Sequence, residues 1–347
     1  MRQGDNQAIP VYEALQYTKT ENLGVKCSLC NHRCAIAEGK HGICGVRHNI
    51  GGTLYAMTYG KVSSEAVDPI EKKPLFHYMP GTLSYSLGGV GCNFRCAHCQ
   101  NWHISQATLE SAFLRNLSPE EGVNRALSSG SASISWTYNE PTIWHEYALE
   151  MGNLARKKGL GTVYVTNGYI TEEALLEISS MLRAYRVDLK AYTDDFYRKT
   201  CKARLQPVLD SAVKAKELGM HIETVTLVIP GLNDNIEEME GLIRWVIDHL
   251  GPETPMHFSR FHPDYKMTDR GATPVATLEK IYSRAKELGL KFPYLGNVYN
   301  HRYENTFCPS CGTVLIERQG FSSRMRMLDG SQCRQCGEKI ELVTDAG

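Results

Sequence analysis

The chain has 347 residues, with 38 lysines and arginines against 38 aspartates and glutamates, and twelve cysteines. That length suits one large α/β domain with small appendages or two ordinary domains, and the balanced charge offers no overall basic field for nucleic acid or an anionic membrane. No apolar run reaches membrane-spanning length and Met1–Pro10 is polar, while eleven of the twelve cysteines fall into three tight groups, so a cytoplasmic protein using thiols as metal ligands is expected.

The first group lies in a Cys-rich head, residues 1–80. It reads Cys27-x2-Cys30-x3-Cys34-x9-Cys44, set among Gly39, Gly42 and Gly45, which let the backbone fold tightly round a metal. Four thiolates at this spacing close a zinc site or hold an auxiliary iron–sulfur cluster, and the spacing admits both. His32, His41 and His48 stay outside this ligand set, because a glycine-rich loop also gathers surface histidines.

Residues 81–300 alternate short β-branched runs with amphipathic stretches, the pattern of repeated βα units on a parallel sheet. Strands are expected near Thr82–Gly89, Ala132–Trp136, Gly161–Thr166, Ala184–Leu189, His221–Val228 and Met256–Arg260. Helices are expected to begin near Ser118, Thr142, Thr171, Leu205, Asn235 and Thr273, several behind a Ser, Thr or Asn cap. Six units make a partial (β/α)6 TIM-like barrel, whose active site belongs at the C-terminal rim of the strands.

Directly after the first of these strands comes Gly91-Cys92-Asn93-Phe94-Arg95-Cys96-Ala97-His98-Cys99. C-x3-C-x2-C supplies thiolates to three irons of a cubane and leaves the fourth open, whereas electron-transfer clusters normally take four cysteines. The run resembles the signature of radical S-adenosylmethionine (SAM) enzymes, in which the amine and carboxylate of SAM chelate the open iron. The ends of the following strands then become candidates for cofactor contacts. Glu140 and Asn139, in Thr137-Tyr138-Asn139-Glu140-Pro141, offer an anionic and a neutral acceptor for the methionyl ammonium, and Glu140 can also cap the helix after Pro141. Thr166 and Asn167 offer a hydroxyl and an amide before Gly168. Asp188 and Lys190 share one face of their strand and are expected to pair, with Lys190 available to the SAM carboxylate. His98 stands where loops of this kind often place an aromatic residue near adenine, and its ring can stack, hydrogen-bond or simply fill space. His262 and Asp264 are weaker candidates for substrate contact, and Cys201, the one cysteine outside the groups, reads as a buried thiol.

The tail, residues 301–347, carries Cys308-x2-Cys311 and Cys333-x2-Cys336, each pair followed by glycine. This is a zinc-ribbon or rubredoxin-like pattern that suits zinc and also a single iron, with structural zinc the expected occupant. A unit this small needs such a staple.

The string GCNFRCAHCQNWHISQ, together with TYNEPT, VTNG, DLK, IPGLND, SRFHPD, YLGNV and the head and tail cysteines, resembles the AmmeMemoRadiSam system radical SAM enzymes, relatives of the pyruvate formate-lyase activating enzyme. The resemblance implies a [4Fe-4S] cluster on Cys92, Cys96 and Cys99 and SAM near Glu140, Thr166, Asp188 and Lys190, but fixes no substrate; the leading expectation is reductive cleavage of SAM to a 5′-deoxyadenosyl radical that abstracts hydrogen from a small molecule. The resemblance also implies an electron donor such as ferredoxin or flavodoxin, and a pathway shared with Memo-like and AMMECR1-like proteins. The activating enzyme carries an acid where this chain has Val165, so a cation site of that kind is not expected. Competing expectations are an activase that installs a glycyl radical on a partner protein, noncanonical cleavage to a 3-amino-3-carboxypropyl radical, and a binding module in which the cluster is structural.

Overall fold

The structure, a computed structural model, describes residues 12–299 and 302–346. Its centre is one eight-stranded sheet in simple sequential order: β1 (Ser64–Pro69), β2 (Leu83–Gly88), β3 (Ser133–Trp136), β4 (Gly161–Thr166), β5 (Ala184–Asp188), β6 (His221–Val228), β7 (Met256–Arg260) and β8 (Pro293–Gly296). Strands β2 to β8 are parallel, and β1 joins the edge antiparallel to β2. The six expected strands are therefore present, and two more extend the sheet, giving seven parallel strands where six were expected. Sequential order with right-handed crossovers keeps the helices on one face, and the sheet curls round its other face without closing.

The crossover helices begin where side-chain caps permit. Helix α1 (Pro119–Ser128) starts behind Ser118, whose hydroxyl accepts from Glu121 N–H, with Pro119 at the first helical position. Thr171 caps α3 (Glu172–Ile178), and Asn235 caps α5 (Ile236–Trp245) in the same way. Helix α4 (Gln206–Glu217) follows Leu205. Helix α2 (His145–Lys157) is entered through a 3-10 turn at Pro141–Trp144, and α6 (Val275–Glu287) starts after Pro274, two residues beyond Thr273.

The head folds as two small antiparallel sheets laid against the rim of the central one. Arg47 and Glu146 anchor it through a fully buried bidentate ion pair at 2.7 and 2.6 Å. The tail packs at the opposite, N-terminal end of the strands, where Phe76, Phe292 and Tyr294 share a core with Leu315, Ile316 and Ile340. Two further contacts hold it there. The buried Arg318 guanidinium lies 4.0 Å over the Phe76 ring and donates to the Phe76 carbonyl at 2.8 Å, and His77 bridges the Glu341 carbonyl at 3.0 Å and the Tyr294 hydroxyl at 2.7 Å. Beneath them Glu223, on β6, accepts from the Phe76 and His77 amides and meets the rings of His221 and His257 at 2.9 and 2.8 Å. The boundary drawn between residues 300 and 301 lies outside the described residues.

Candidate active site

The cysteine loop leaves the C-terminal end of β2 and is shaped by its neighbours. Asn139 accepts from Gly89 N–H and donates to the Gly91 carbonyl, each at 3.0 Å, so its amide is spent on the loop backbone. Arg95 donates to the carbonyls of Cys92 and Phe94 at 2.6 and 3.0 Å and reaches the Ile43 carbonyl in the head. Gly91 sits at φ +85°, and a Cβ there would stand 2.7 Å from the Cys44 carbonyl oxygen, which only glycine tolerates.

A cavity of about 560 Å³ opens on this loop. Cys92, Cys96 and Cys99 line it together with His98, Asn139, Glu140, Thr166, Asn167, Asp188 and Lys190, so all ten residues singled out for the cluster and its cofactor meet in one space. His262 and Asp264 do not line it, and His262 is exposed.

Each wall of the cavity has its own electrostatics. Glu140 is buried at the end of β3, where burial pushes its carboxyl up; the Asn167 amide at 2.8 Å, the Thr142 amide at 3.0 Å and the Thr166 hydroxyl at 2.6 Å partly offset this. It thus caps the turn after Pro141 and ties β3 to β4. Asn167 also donates to Asn93 Oδ1 at 2.7 Å and lies 3.8 Å from Cys92 Sγ. Lys190 Nζ meets Asp188 at 2.9 Å, and Arg186 completes a triad on the other carboxylate oxygen. Burial would raise the Asp188 carboxyl, but the Arg186 and Lys190 charges outweigh it and hold it at about 2.

Sequence reasoning missed the cationic floor. Asp68 of β1 accepts from Lys72 Nζ at 2.8 Å, Lys73 Nζ at 2.5 Å and the Tyr138 hydroxyl at 2.7 Å. Burial lowers Lys73 to about 8 despite that carboxylate. Arg186 Nε donates to the Lys73 carbonyl at 3.0 Å, joining floor and wall. Arg186 was detectable, because it stands two residues before Asp188 on the same face of β5.

The thiols differ. Burial, with Glu140 nearby, raises Cys92 well above its ordinary value, whereas Cys96 is lowered, first by its contact with the Cys201 thiol and then by Lys190. Cys201 is fully buried, as expected, but it belongs to a turn packed on the loop: the Arg95 and Ala97 amides donate to the Cys201 and Thr200 carbonyls at 3.0 and 3.1 Å. Burial, reinforced by Lys190, drives His98 down to about 3, so its ring is neutral, and Nδ1 has no partner among the described residues. Three thiols on one wall, an unpartnered ring nitrogen and a volume inside the usual cofactor range of about 300–1,000 Å³ fit a [4Fe-4S] cluster with SAM.

In the tail the four thiols of Cys308, Cys311, Cys333 and Cys336 lie within 4.8 Å of one another, with Cys308–Cys336 at 3.6 Å and Cys311–Cys333 at 3.7 Å. A metal–sulfur bond of about 2.3 Å gives a tetrahedral edge of about 3.8 Å, so this quartet is dimensioned for one ion.

Residues 87–246, from β2 through α5, match the radical SAM superfamily. The chain belongs to the radical SAM superfamily. Membership makes it an enzyme and implies a [4Fe-4S] cluster, SAM, a reductant and a substrate. This radical SAM protein is 48% identical over 333 residues to an uncharacterized protein of Methanocaldococcus jannaschii, covering 95% of this chain and 99% of the relative. It is 22% identical over 263 residues to a GTP 3′,8-cyclase of Mannheimia succiniciproducens, covering 66% and 73% of the two chains. Among solved structures, a domain of pyruvate-formate lyase-activating enzyme from Bacteroides vulgatus aligns with 48% of this chain and 100% of its own at 14% identity and TM-score 0.42. Among the described residues no helix is long and apolar enough to cross a membrane.

Proposed function

We propose that this radical SAM enzyme takes a hydrogen atom from a small-molecule substrate held in the same cavity as its cofactor. The observation that carries this reading is the convergence of Cys92, Cys96 and Cys99 with Glu140, Thr166, Asn167, Asp188, Lys190 and His98 round one cavity. When bound, a [4Fe-4S] cluster and SAM supply an electron and a 5′-deoxyadenosyl radical. The chain's own residues then bind and orient. Glu140, held by three donors, fixes the position of the β3 and β4 ends, and its carboxyl is the acceptor for the methionyl ammonium. Lys190, kept cationic beside Asp188, takes the methionyl carboxylate. The neutral His98 ring offers its free nitrogen and face to the adenine side.

The rest of the cavity is substrate space. Lys72, Lys73 and Arg186 line it, and Asp68 and Asp188 neutralise only part of their charge, which favours a substrate with an anionic group. A charged floor set at the bottom of the cavity suits the anionic group of a small molecule better than the glycyl loop of a protein partner. In this reading the tail quartet holds structural zinc, a ferredoxin- or flavodoxin-class donor supplies the electron in a reducing cytoplasm, and the motif resemblance to AmmeMemoRadiSam enzymes makes Memo-like and AMMECR1-like proteins pathway companions.

The test is product analysis after anaerobic incubation of reconstituted, dithionite-reduced protein with SAM, beside Cys96→Ala. 5′-Deoxyadenosine from the wild type alone supports the proposal. Methylthioadenosine would replace it with aminocarboxypropyl chemistry.

A further inference from the structure

The cysteines of the head form a second enclosed site. Cys27, Cys30, Cys34 and Cys44 line one small, largely apolar cavity with Ile36 and Arg47. The Arg47 charge lies close enough to the thiols of Cys27 and Cys44 to favour their thiolate forms against the burial that opposes them. The Arg47 guanidinium is pinned by Glu146 through both terminal nitrogens and also reaches the Ile143 carbonyl, while its Nε is buried without a partner among the described residues. A buried, immobilised donor on the wall of a four-thiol cavity calls for an acceptor there.

The spacing of the thiols separates one ion from a polynuclear cluster. In the tail all four sulfurs lie within 4.8 Å of one another, the dimension of a single tetrahedral ion. Among the described residues no three thiols of the head approach one another that closely, and the same holds for Cys92, Cys96 and Cys99. Neither the head nor the central loop therefore has the dimension of a single-ion site among the described residues. The geometry points to a [4Fe-4S] cluster in the head, held by Cys27, Cys30, Cys34 and Cys44 and receiving an N–H···S bond from Arg47 Nε, where the sequence alone left zinc equally open.

With four thiolates every iron is ligated, so this cluster does not bind SAM and its chemistry is one-electron transfer. It stands against the catalytic loop. The Cys44 carbonyl abuts Gly91, the residue before Cys92; Arg95 reaches the Ile43 carbonyl; and His32 Nε2 lies 2.7 Å from the Asn93 carbonyl.

Iron, sulfide and zinc counted per chain on anaerobically reconstituted full-length protein test this. The expected result is about eight irons and eight sulfides with about one zinc. A combined Cys92→Ala, Cys96→Ala, Cys99→Ala variant should keep about half of the iron and a reduced [4Fe-4S]⁺ electron paramagnetic resonance signal that SAM does not perturb. Cys30→Ala with Cys44→Ala should keep the other half, with a signal that SAM does perturb. About two zincs and four irons in the wild type would overturn the inference, as would about four irons with no metal in the head or a triple variant without iron. The wild-type count stands even if a variant fails to fold. The SAM response of the Cys30/Cys44 variant reports on the central site separately, so failure there leaves the head assignment standing.

Discussion

Glu140 and Thr166 are joined by a 2.6 Å hydrogen bond that fastens the end of β3 to the end of β4 at the mouth of the cofactor cavity. The carboxylate accepts from two backbone amides as well, so a scaffold joint and a proposed ligand are the same group. Glu140→Gln keeps its size but turns an amide NH2 toward one of these donors. Binding of SAM to the reconstituted variant, measured by equilibrium dialysis, is expected to weaken about ten- to a hundredfold with the iron content unchanged.

Arg47 and Glu146 form a pair with no water to share. Arg47→Met strips the buried Glu146 carboxyl of its counter-charge and should cost about 3–5 kcal/mol in urea unfolding, whereas Arg47→Met with Glu146→Met should recover most of that loss. A double variant as unstable as the single one would show that hydrogen bonding to the head, not charge pairing, is the main contribution.

Gly91→Ala combines a left-handed backbone at φ +85° with a Cβ 2.7 Å from the Cys44 carbonyl oxygen. Since backbone cannot move aside as a flexible side chain can, the loop should shift. Iron retained at Cys92, Cys96 and Cys99 should drop at least severalfold, measured after gel filtration of the reconstituted variant.

These residues divide by how they signal themselves in a sequence. The cysteine loop, Glu140, Thr166 and the Asp188–Lys190 pair were legible, because the first is a local motif and the others sit at strand ends whose β-branched runs are plain. Asn139 was legible as a residue but not in its bonding, since its amide clamps Gly89 and Gly91. Asp68, Lys72 and Lys73 were not legible. They belong to β1 and the turn after it, a half-exposed edge strand with few β-branched residues outside the repeating pattern, and only antiparallel pairing with β2 carries them under the cavity. The last strand escaped because it is four residues long and begins with Pro293.

The tail should lose its metal and its local packing together. Cys333→Ser is expected to lower bound zinc by about one per chain. Far-UV circular dichroism should hold its helical signal, because the six helices of seven residues or more all belong to the central sheet. Elemental analysis with chelator titration checks the first part, and loss of the helical signal would contradict the second.

His77 makes the docking of the tail sensitive to acid. Burial drives its ring down to about 3 against the pull of Glu223, so the folded protein keeps it neutral while the unfolded chain protonates near 6.5. Its full contribution is present above about pH 6.5 and is lost as pH falls toward about 3, at about 1.4 kcal/mol per pH unit. His257, also lowered by burial, acts in the same sense. Urea midpoints measured between about pH 7 and 5 should fall steadily, and His77→Gln should flatten the slope.

Glu223 gives the molecule an unexpected indivisibility. One carboxylate gathers the Phe76 and His77 amides and two histidines of the sheet floor, and those same two residues are the ones Arg318 and Glu341 grip from the tail. The barrel therefore has no clean seam at which a minimal catalytic fragment can be cut. A tail transplanted from a cousin would have to bring its own version of Phe76 and His77, so change at the two ends of the gene is constrained to proceed in step.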